Sequence, residues 1–529
     1  MKKIILNKDR FQYDIHSLFK AFYGNEDVKV IVPGSAEYDD GFFEGIGHHT
    51  EMGELNAELG EDITLICFFD EEISEDSLKG SIALLQREDS DNSVHKYVRS
   101  FSDNKSASQN DSVSTNGDEE SVDTSKNAVK KIIYIALSKK TGKELPWGSL
   151  TGIRPTRIAM NLLEKGKSED EIADYMKKTY FVSNEKIALS TLIAKREREI
   201  LKNIDYENGY SLYIGIPFCP TTCLYCSFTS YPIGAYKDMV DDYIKCLKKE
   251  IDYVAEDFAG KTIDTVYMGG GTPTTLLPEQ MEDLLGYLSE KLDLSHAKEF
   301  TVESGRPDSI TREKLKAMKK MGVDRISVNP QTMRDETLKL IGRRHTVAQL
   351  IEAYNMAREE GFDNINMDII LGLPGENAGD VQYTMDEIAK LMPDDLTVHS
   401  LAIKRGSRLY EVLRQKGLDI SLINNTEEMM NIASMGAVSM GLKPYYLYRQ
   451  KNISGNFENT GYAKQGKAGI YNILINEEVQ SIVALGAGTV TKRVFGNGRI
   501  ERCDNVKDVK LYMEQIDEMI ARKRSLFNL

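Results

Sequence analysis

Three cysteines, Cys219, Cys223 and Cys226, lie close together in the segment GIPFCPTTCLYCSFTSY. Thiolates bind zinc and iron–sulfur clusters, and the spacing C-x3-C-x2-C supplies three of them. A structural zinc takes four protein ligands, and no fourth Cys or His is near in the sequence. An iron–sulfur cluster on three thiolates leaves one iron open for a small molecule. The pattern favours such a cluster; the alternatives are zinc completed by the distant His399, and three ordinary buried cysteines.

Glycines and carboxylates follow other apolar segments of the chain. Gly269, Gly270 and Gly271 come directly after IDTVYM, where a backbone without side chains can bend sharply and approach a ligand. The dinucleotide fingerprint G-x-G-x-x-G and the P-loop Lys are absent from this turn. Glu303 ends the next apolar segment, and Asp368 interrupts a later one. Because an unpaired buried charge is costly, both carboxylates predict a polar partner or ligand.

Taken together, these motifs resemble those of the radical S-adenosylmethionine (SAM) superfamily. The order IPFCPTTCLYCSF, GGGTPT, GRRHT and D-x-I-x-GLPGE resembles the oxygen-independent coproporphyrinogen III oxidases, also called coproporphyrinogen dehydrogenases. The segments PWGSLTGIRPTRIA, LYRQKNISGNFENTGYA and ALGAGTVTK resemble the HemZ-type branch of that family. The resemblance implies two cofactors, a [4Fe–4S] cluster and SAM, with SAM filling the open position on the cluster. One electron from the cluster then cleaves SAM and yields a 5′-deoxyadenosyl radical.

The same resemblance implies roles for individual residues. Cys219, Cys223 and Cys226 are expected to bind the cluster. The residues expected to contact SAM are Tyr213, Tyr225, Gly269, Gly270, Gly271, Thr272, Glu303, Gln331, Arg343 and Asp368. Arg344 competes with Arg343 for its role, because the two are adjacent.

The activity implied by the resemblance is that of an oxidoreductase in porphyrin biosynthesis. The radical takes a hydrogen atom from the β-carbon of a propionate on coproporphyrinogen III, and loss of carbon dioxide leaves a vinyl group and one electron. The implied partners are this tetrapyrrole and a reduced flavodoxin- or ferredoxin-type electron donor. Candidate cations for the propionates are Lys404, Arg405, Arg408, Arg449 and Lys451.

Two departures from the family pattern keep other functions open. Phe228 stands where the well-studied enzymes have a further Cys, a difference shared with the haem-chaperone branch. The chaperones' His-Asn-x-x-Tyr-Trp-like motif is also missing, since the matching stretch has Tyr471 and Asn472, and Trp147 is far away. The alternatives are a haem chaperone without redox turnover and another radical SAM tetrapyrrole enzyme, such as a methyltransferase or an anaerobic haem-opening enzyme.

The overall composition excludes several classes of protein. The chain has 529 residues, 41% hydrophobic and 28% charged, with no apolar run of membrane-spanning length. The net charge of −15 disfavours broad binding to nucleic acid. Six cysteines without an export signal argue against a disulfide framework and for a reducing compartment, so we expect a cytoplasmic protein.

The elements that must position these residues alternate between strand and helix. Apolar segments predict six strands, at 211–216, 263–268, 299–304, 324–329, 364–370 and 396–402. Amphipathic helices between them indicate a parallel sheet with right-handed crossovers. The predicted fold class is α/β, a partial (β/α)6 TIM-like barrel whose active face lies at the C-terminal ends of the strands.

The rest of the chain predicts additional domains. The predicted organisation is an N-terminal α/β module at 1–145, a helical linker segment at 146–207, the barrel at 208–440 and a small C-terminal domain at 441–529. Within the module, the Ser/Asn/Asp-rich stretch at about 88–128 predicts a disordered insert, after which KKIIYIALS is predicted to be a strand. In the linker, Ser168 and Glu171 have the spacing of a capping box.

Overall fold

The computed structural model describes residues 2–24, 28–38, 63–73, 77–87, 94–104, 124–152, 154–226, 230–402, 408–415, 425–450, 457–496 and 498–528. Phe228, Lys404, Arg405 and Lys451 lie outside the described residues. The chain divides into two compact units, Met1–Thr191 with Arg449–Phe457, and Leu192–Tyr448 with Glu458–Leu529. This division falls at other positions than the predicted boundaries at 145, 207 and 440.

The first unit combines a five-stranded sheet with helices. Its strands are β1 (Lys2–Leu6), β2 (Val28–Ile31), β3 (Ile63–Ile73), β4 (Ser77–Arg87) and β5 (Val94–Asn104). Its helices are α1 (Gln12–Tyr23), α2 (Ser125–Thr141), α3 (Thr156–Glu164) and α4 (Glu169–Tyr180); α5 (Asn184–Ile200) crosses the division. The strand order is β2-β1-β3-β4-β5, parallel for the first two pairs and antiparallel for the last two. The predicted α/β character of this region is therefore confirmed.

Two local predictions for the first unit are wrong, and one is confirmed. The insert predicted at about 88–128 is wrong for Val94–Asn104, because β5 pairs with β4 along its whole length, and for 125–128, which lie in α2. Residues 88–93 and 105–123 of the predicted insert lie outside the described residues. KKIIYIALS lies in α2, not in a strand. Its apolar residues from Ile132 to Leu137 form a continuous run, which fits a buried helix as well as a strand. In α2, Ile132, Ile133, Ala136 and Leu137 pack on one core. The capping box of Ser168 and Glu171 begins α4 as predicted.

The second unit contains the remaining elements. Its strands are β6 (Gly209–Ile216), β7 (Phe218–Cys219), β8 (Tyr231–Pro232), β9 (Thr262–Gly270), β10 (Glu299–Val302), β11 (Arg325–Ser327), β12 (Ile365–Leu371), β13 (Asp395–Ser400), β14 (Lys443–Tyr448), β15 (Asn459–Ala463), β16 (Ile482–Leu485), β17 (Val490–Val494) and β18 (Ile500–Asp504). Its helices are α6 (Ile233–Tyr236), α7 (Val240–Asp257), α8 (Pro278–Lys291), α9 (Arg312–Lys320), α10 (Asp335–Leu340), α11 (Val347–Glu359), α12 (Ala378–Leu391), α13 (Arg408–Gln415), α14 (Glu427–Ser439), α15 (Ile470–Glu477), α16 (Val509–Glu514) and α17 (Ile516–Phe527). Within the described ranges, no helix combines the length and the apolar character needed to cross a membrane.

The six predicted strands are confirmed as β6 and β9 to β13, which are parallel neighbours in chain order. They belong to an open 11-stranded sheet that has β14 at one edge and β18 at the other. The C-terminal region extends this same sheet: β16 lies parallel beside β6, and β15 lies antiparallel beside β13. The C-terminal strands β15 and β16 are therefore hydrogen-bonded to the predicted barrel strands β13 and β6.

The pairing register gives the parallel strands two unlike faces, because paired residues on neighbouring strands point to the same side. We call the first the polar face; its residues are Ser211, Tyr213, Thr265, Tyr267, Glu299, Thr301, Arg325, Ser327, Asn366, Asp368, Asp395, Thr397 and His399. We call the second the apolar face; its residues are Leu212, Ile214, Val266, Met268, Phe300, Val302, Ile326, Ile365, Met367, Ile369, Leu396 and Val398. Tyr213 and Asp368, two site residues predicted within these strands, therefore share the polar face.

Candidate active site

The three cysteines lie in the loop that follows the C-terminal end of β6. Cys219 and Cys223 are buried, and Cys226 is partly buried. The amide of Cys226 donates to the carbonyl of Cys223 at 3.2 Å, which closes a turn between them. The amide of Tyr231 donates to the carbonyl of Pro217 at 2.8 Å, beside the short pairing of β7 with β8. The predicted cluster ligands therefore lie at the active edge of the sheet, as the strand positions indicate.

Thr272 connects this cysteine loop to the glycine turn after β9. Its amide donates to the carbonyl of Phe218 at 2.7 Å, and its hydroxyl donates to Cys219 Sγ at 3.4 Å. Burial raises the pKa of the Cys219 thiol, and the neighbouring Thr272 hydroxyl opposes that rise. Thr272 thus touches a predicted cluster ligand directly.

The glycine turn leaves no room for side chains. A Cβ on Gly271 would lie 2.6 Å from the carbonyl oxygen of Phe218, and one on Gly269 would lie 2.9 Å from Cδ of Glu303. Gly270 has φ of 105°, a left-handed conformation that side chains rarely adopt. Each glycine is therefore required where it stands, and together they form a bare backbone surface beside the cysteine loop.

Glu303 lies at the C-terminal end of β10, against this surface. Its Oε1 accepts a hydrogen bond of 2.7 Å from the hydroxyl of Tyr267. Burial raises the pKa of Glu303 to about 7, although the Tyr267 hydroxyl acts to lower it. The rings of Tyr213 and Tyr267 stack on that of Tyr471, with centroids 6.0 Å and 4.4 Å from it. These rings form a rigid floor below a carboxylate that titrates near neutral pH.

Of the two adjacent arginines, the structure brings only Arg343 to the site. Arg343 is buried; it donates to the Tyr225 hydroxyl at 3.1 Å and to the Gly305 carbonyl at 2.9 Å. Arg344 is exposed. Burial, together with the charge of Arg343, lowers the pKa of His345 to about 4. Arg343 therefore holds Tyr225, and with it the cysteine loop, against the segment that follows β10.

Gln331 and Asp368 lie on the far side of the same edge. Gln331 has φ of 65°, and its amide donates to the Asp368 carbonyl at 2.9 Å. The Asp368 carboxylate accepts bonds from Asn329 at 2.6 Å and from Asn366 at 2.8 Å. Burial acts to raise the pKa of Asp368, but His399 and Asn366 bring it below its ordinary value. The neighbours of Asp368 therefore stabilise the ionised form of its carboxylate.

His399 lies beside Asp368, and no contact with the cysteines is found among the described residues. Its Nε2 lies 3.9 Å from Asp368 Oδ1, and the hydroxyl of Tyr448 lies 3.3 Å from its Nδ1. Among the described residues, no three His, Cys, Asp or Glu side chains are placed to hold one metal ion. The structure therefore gives no support to a zinc site completed by His399. In a cubane, each thiolate binds a different iron, so the sulfurs need not converge on one point.

The donor set and the space beside it fit a [4Fe–4S] cluster with SAM. Three thiols share one loop, and the adjoining bare turn would be filled by any Cβ. Glu303 and Asp368 provide carboxylates on the same edge, where a ligand with an ammonium group and hydroxyls can bind them. The predicted propionate cations are dispersed: Arg408 is exposed, whereas Arg449 is buried in the first unit and donates to the Leu150 carbonyl at 2.7 Å.

Three residues that contact the predicted site were not identified from the sequence. Arg306 donates to Cys223 Sγ, Tyr267 donates to Glu303, and Asn329 donates to Asp368. These pairs are 83, 36 and 39 positions apart. The only signal in the sequence is their position near the C-terminal end of a predicted strand: Asn329 ends one, Arg306 follows one, and Tyr267 is the second-last residue of one.

Known proteins resemble the chain in both sequence and structure. The model of the radical SAM superfamily matches residues 213–388. The oxygen-independent coproporphyrinogen-III oxidase-like protein HemZ of Bacillus subtilis is 41% identical over 75% of this chain and 80% of its own length. The heme chaperone HemW of Bacillus subtilis is 31% identical over 58% of this chain and 76% of its own. The coproporphyrinogen III oxidase HemN of Escherichia coli superimposes with a TM-score of 0.48 at 23% identity, covering 59% of this chain and 70% of that one.

Proposed function

Since the chain belongs to the radical SAM superfamily and, within it, to the family of HemZ- and HemN-like coproporphyrinogen oxidases, we propose that it oxidatively decarboxylates the propionates of coproporphyrinogen III to vinyl groups without oxygen. The cofactors of the chain are a [4Fe–4S] cluster and SAM. When bound, they supply the 5′-deoxyadenosyl radical that removes hydrogen from the substrate. The observation that carries the proposal is the 41% identity with HemZ over three quarters of the chain.

We assign the cluster to Cys219, Cys223 and Cys226. They share the loop after β6. This loop adjoins the turn of Gly269, Gly270 and Gly271, whose backbone has no side chains to cover it. The half-buried loop keeps bulk water from the sulfurs, which favours a stable cluster.

We assign the amino group of SAM to Glu303 and the glycine turn. A carboxylate whose pKa is about 7 ionises readily when an ammonium group comes beside it. The Tyr267 hydroxyl fixes the orientation of this carboxylate, so its second oxygen can accept from the ligand. The backbone N–H and C=O groups of Gly269, Gly270 and Gly271 supply further hydrogen-bonding partners, which SAM can approach closely because no side chain intervenes.

The remaining predicted residues surround this position. Asp368 is held ionised by its neighbours and can accept hydrogen bonds from ribose hydroxyls. Gln331 adjoins it through the backbone, and Arg343 fixes Tyr225 over the cysteine loop. Tyr213 forms part of the ring stack below Glu303, and Thr272 contacts Cys219. These residues bind and orient SAM in the proposal.

The proposed partners are coproporphyrinogen III and a reduced flavodoxin- or ferredoxin-type donor, in the cytoplasm. Arg408 is the described cation best placed for a propionate. It is exposed and immediately precedes Leu409, whose amide donates to the Leu224 carbonyl of the cysteine loop at 2.9 Å. A positive charge there adjoins the mouth of the site.

The test is anaerobic reconstitution with iron and sulfide, followed by incubation with SAM, a reductant and coproporphyrinogen III. We expect chromatography to detect protoporphyrinogen IX and 5′-deoxyadenosine. The matched control is the variant with Cys219, Cys223 and Cys226 all changed to Ala, which should form neither product. Cleavage of SAM with the porphyrinogen returned unchanged contradicts the proposed substrate and favours another radical SAM reaction.

A second candidate function is that of a haem chaperone. It is favoured by the 31% identity with the heme chaperone HemW. It is also favoured by Phe228, which replaces the further Cys of the well-studied oxidases, a Cys that the haem-chaperone branch also lacks. Anaerobic titration of the purified protein with haem, followed by absorbance, separates the two functions. Stoichiometric haem binding, transfer of haem to an apo-protein and no 5′-deoxyadenosine identify a chaperone.

A further inference from the structure

Arg306 lies beneath the cysteine loop with all of its donors occupied. Its side chain is 5% exposed. One terminal nitrogen donates to Cys223 Sγ at 3.4 Å and to the Thr221 carbonyl at 3.1 Å. The other donates to the Thr221 hydroxyl at 3.0 Å and to Asp308 Oδ2 at 2.8 Å, while Nε donates to Asp308 Oδ1 at 2.9 Å. The five N–H groups of a guanidinium are thus all used.

This arrangement fixes the guanidinium in one orientation. The two-pronged pairing with Asp308 sets the plane of the fork, and a planar fork loses little entropy when it forms further bonds. The opposite edge then meets Thr221 and Cys223, which lie in the middle of the cysteine loop. The loop after β6 is thereby attached to the loop after β10 at the position of one predicted cluster ligand.

Arg343 makes a different connection. It donates to the Tyr225 hydroxyl and the Gly305 carbonyl and is recorded with no bond to sulfur. Arg306 alone, among the described arginines, brings its positive charge into hydrogen-bond contact with a cysteine of the loop.

We propose that Arg306 is a positioning residue for the cluster, which holds Cys223 in place and raises the reduction potential of the [4Fe–4S] centre. This rests on the proposed cluster site but not on the proposed substrate. Hydrogen bonds and nearby positive charge at a cluster sulfur favour the reduced, more negative state. The centre accepts one electron from an external reductant, and the guanidinium offsets the added charge.

The experiment is an anaerobic redox titration of the reconstituted full-length protein with dithionite, followed by electron paramagnetic resonance. Arg306→Met removes both the charge and the fork. We expect it to lower the ratio of reduced to oxidised cluster about tenfold at a fixed solution potential, which is a shift of about 59 mV to lower potential for one electron. Arg306→Lys keeps the charge and loses the fork, so its shift should have the same sign and be smaller.

The matched control is Arg312→Met. Arg312 lies six positions further on, at the start of α9, and pairs with Glu359 and Glu360 on the surface. Its removal should leave the potential unchanged. Iron and sulfide content and thermal unfolding are measured on every variant, so that loss of cluster is separated from a change in potential.

The proposal is overturned if Arg306→Met has the same reduction potential as the unmodified protein. If Arg306→Met retains no iron, the same result in Arg306→Lys overturns it. Failure of the unmodified protein to form any cluster contradicts the cluster site itself. Because no porphyrinogen is present in the titration, failure of the proposed oxidase activity leaves this result unaffected.

Discussion

The polar and apolar faces of the parallel sheet are built from the same strands and differ completely in chemistry. Parallel strands are usually apolar on both sides, because helices cover each face. Here nearly every second residue from β6 to β13 carries a polar side chain, with Gly215, Gly269 and Ile370 as exceptions, while the residues between them are nearly all apolar. The apolar face therefore serves packing alone, whereas the polar face holds both a buried ion pair and the predicted site residues Tyr213 and Asp368.

The polar face itself changes along the strands. Near its N-terminal side, Arg325 and Asp395 are fully buried; Arg325 donates to Asp395 at 2.7 Å, and so does Tyr445 at 2.8 Å. At the C-terminal edge, Glu303 and Asp368 are partly exposed and retain free accepting capacity. Charges deep in the sheet are paired with each other, whereas those at the edge are available to a ligand.

The largest expected effect comes from breaking the buried pair. Arg325→Met leaves Asp395 charged and without its cation, and we expect a loss of about 3–5 kcal/mol in the free energy of unfolding. Urea unfolding followed by circular dichroism measures it. The double variant Arg325→Met with Asp395→Asn removes both charges and should be more stable than the single variant. Equal stability of the single variant and the unmodified protein contradicts this account of the polar face.

A change on the apolar face should affect stability alone. Met268→Ala removes a side chain that is fully buried next to Tyr267 in the chain but on the opposite face. We expect a loss of about 2–5 kcal/mol by the same unfolding measurement, since a cavity replaces packed atoms. SAM binding at low temperature should be unchanged. A large loss of SAM affinity in the folded variant means that the two faces are not independent.

The corresponding change on the polar face should weaken binding without destabilising the fold. Glu303→Gln removes the negative charge but can still accept from Tyr267. We expect SAM affinity of the cluster-loaded protein to fall by about 1.5–3 kcal/mol, the usual contribution of a bond to a charged group. Equilibrium filtration under anaerobic conditions measures it. Unchanged affinity contradicts the assignment of Glu303.

The same variant has an effect of opposite sign on stability. The pKa of Glu303 is about 7 in the folded protein and near its ordinary value of 4.5 when unfolded, so the folded state holds its proton more tightly. The contribution of this group to stability is therefore present below pH 4.5 and is lost as the pH rises towards 7. Above pH 7, without SAM, Glu303→Gln should unfold at the same or a higher temperature than the unmodified protein.

The smallest expected effect comes from removing the Tyr267 hydroxyl, which donates a hydrogen bond to Glu303. Tyr267→Phe removes the hydroxyl that lowers the pKa of Glu303, so this pKa should rise further. SAM binding requires the carboxylate, and the pH at which binding becomes half-maximal should increase by up to about one unit. Tyr471→Phe is the control, because its ring stays in the stack and no bond from its hydroxyl to Glu303 is recorded. An identical shift in both variants contradicts a specific role for Tyr267.

Much of the fold could be predicted from local patterns. The six parallel strands, the helices between them and the capping box at Ser168 follow from periodicity and cap chemistry. The errors have different causes. KKIIYIALS contains a continuous apolar run with a β-rich composition, which periodicity cannot assign to a strand or to a buried helix. The polar composition around β5 hid a strand that pairs with the preceding β4, whereas β16 pairs with the distant β6. Pairing between residues far apart in the chain leaves no local signal.

The candidate site could be predicted only in part, for the same reason. Motifs identify the cysteines, the glycine turn, Glu303 and Asp368, because each has a characteristic type and position after a strand. The choice between Arg343 and Arg344 depends on which one the fold buries, and adjacency in the sequence cannot decide it. The hydrogen bonds from Arg306, Tyr267 and Asn329 depend on strand register.

The amino-acid sequence by itself determined which chemistry this protein can support: three thiolates in one short loop, small residues where a ligand must approach, and strands whose alternation fixes the sheet. Tertiary structure decided which charges meet. Arg306 reaches Cys223, and Glu303 rests on Tyr267, because neighbouring parallel strands end at one edge and bring their loops together. Spacing along the chain is enough to identify candidate ligands that lie in one loop. Contacts between different loops form only when the pairing register of the strands brings those loops together.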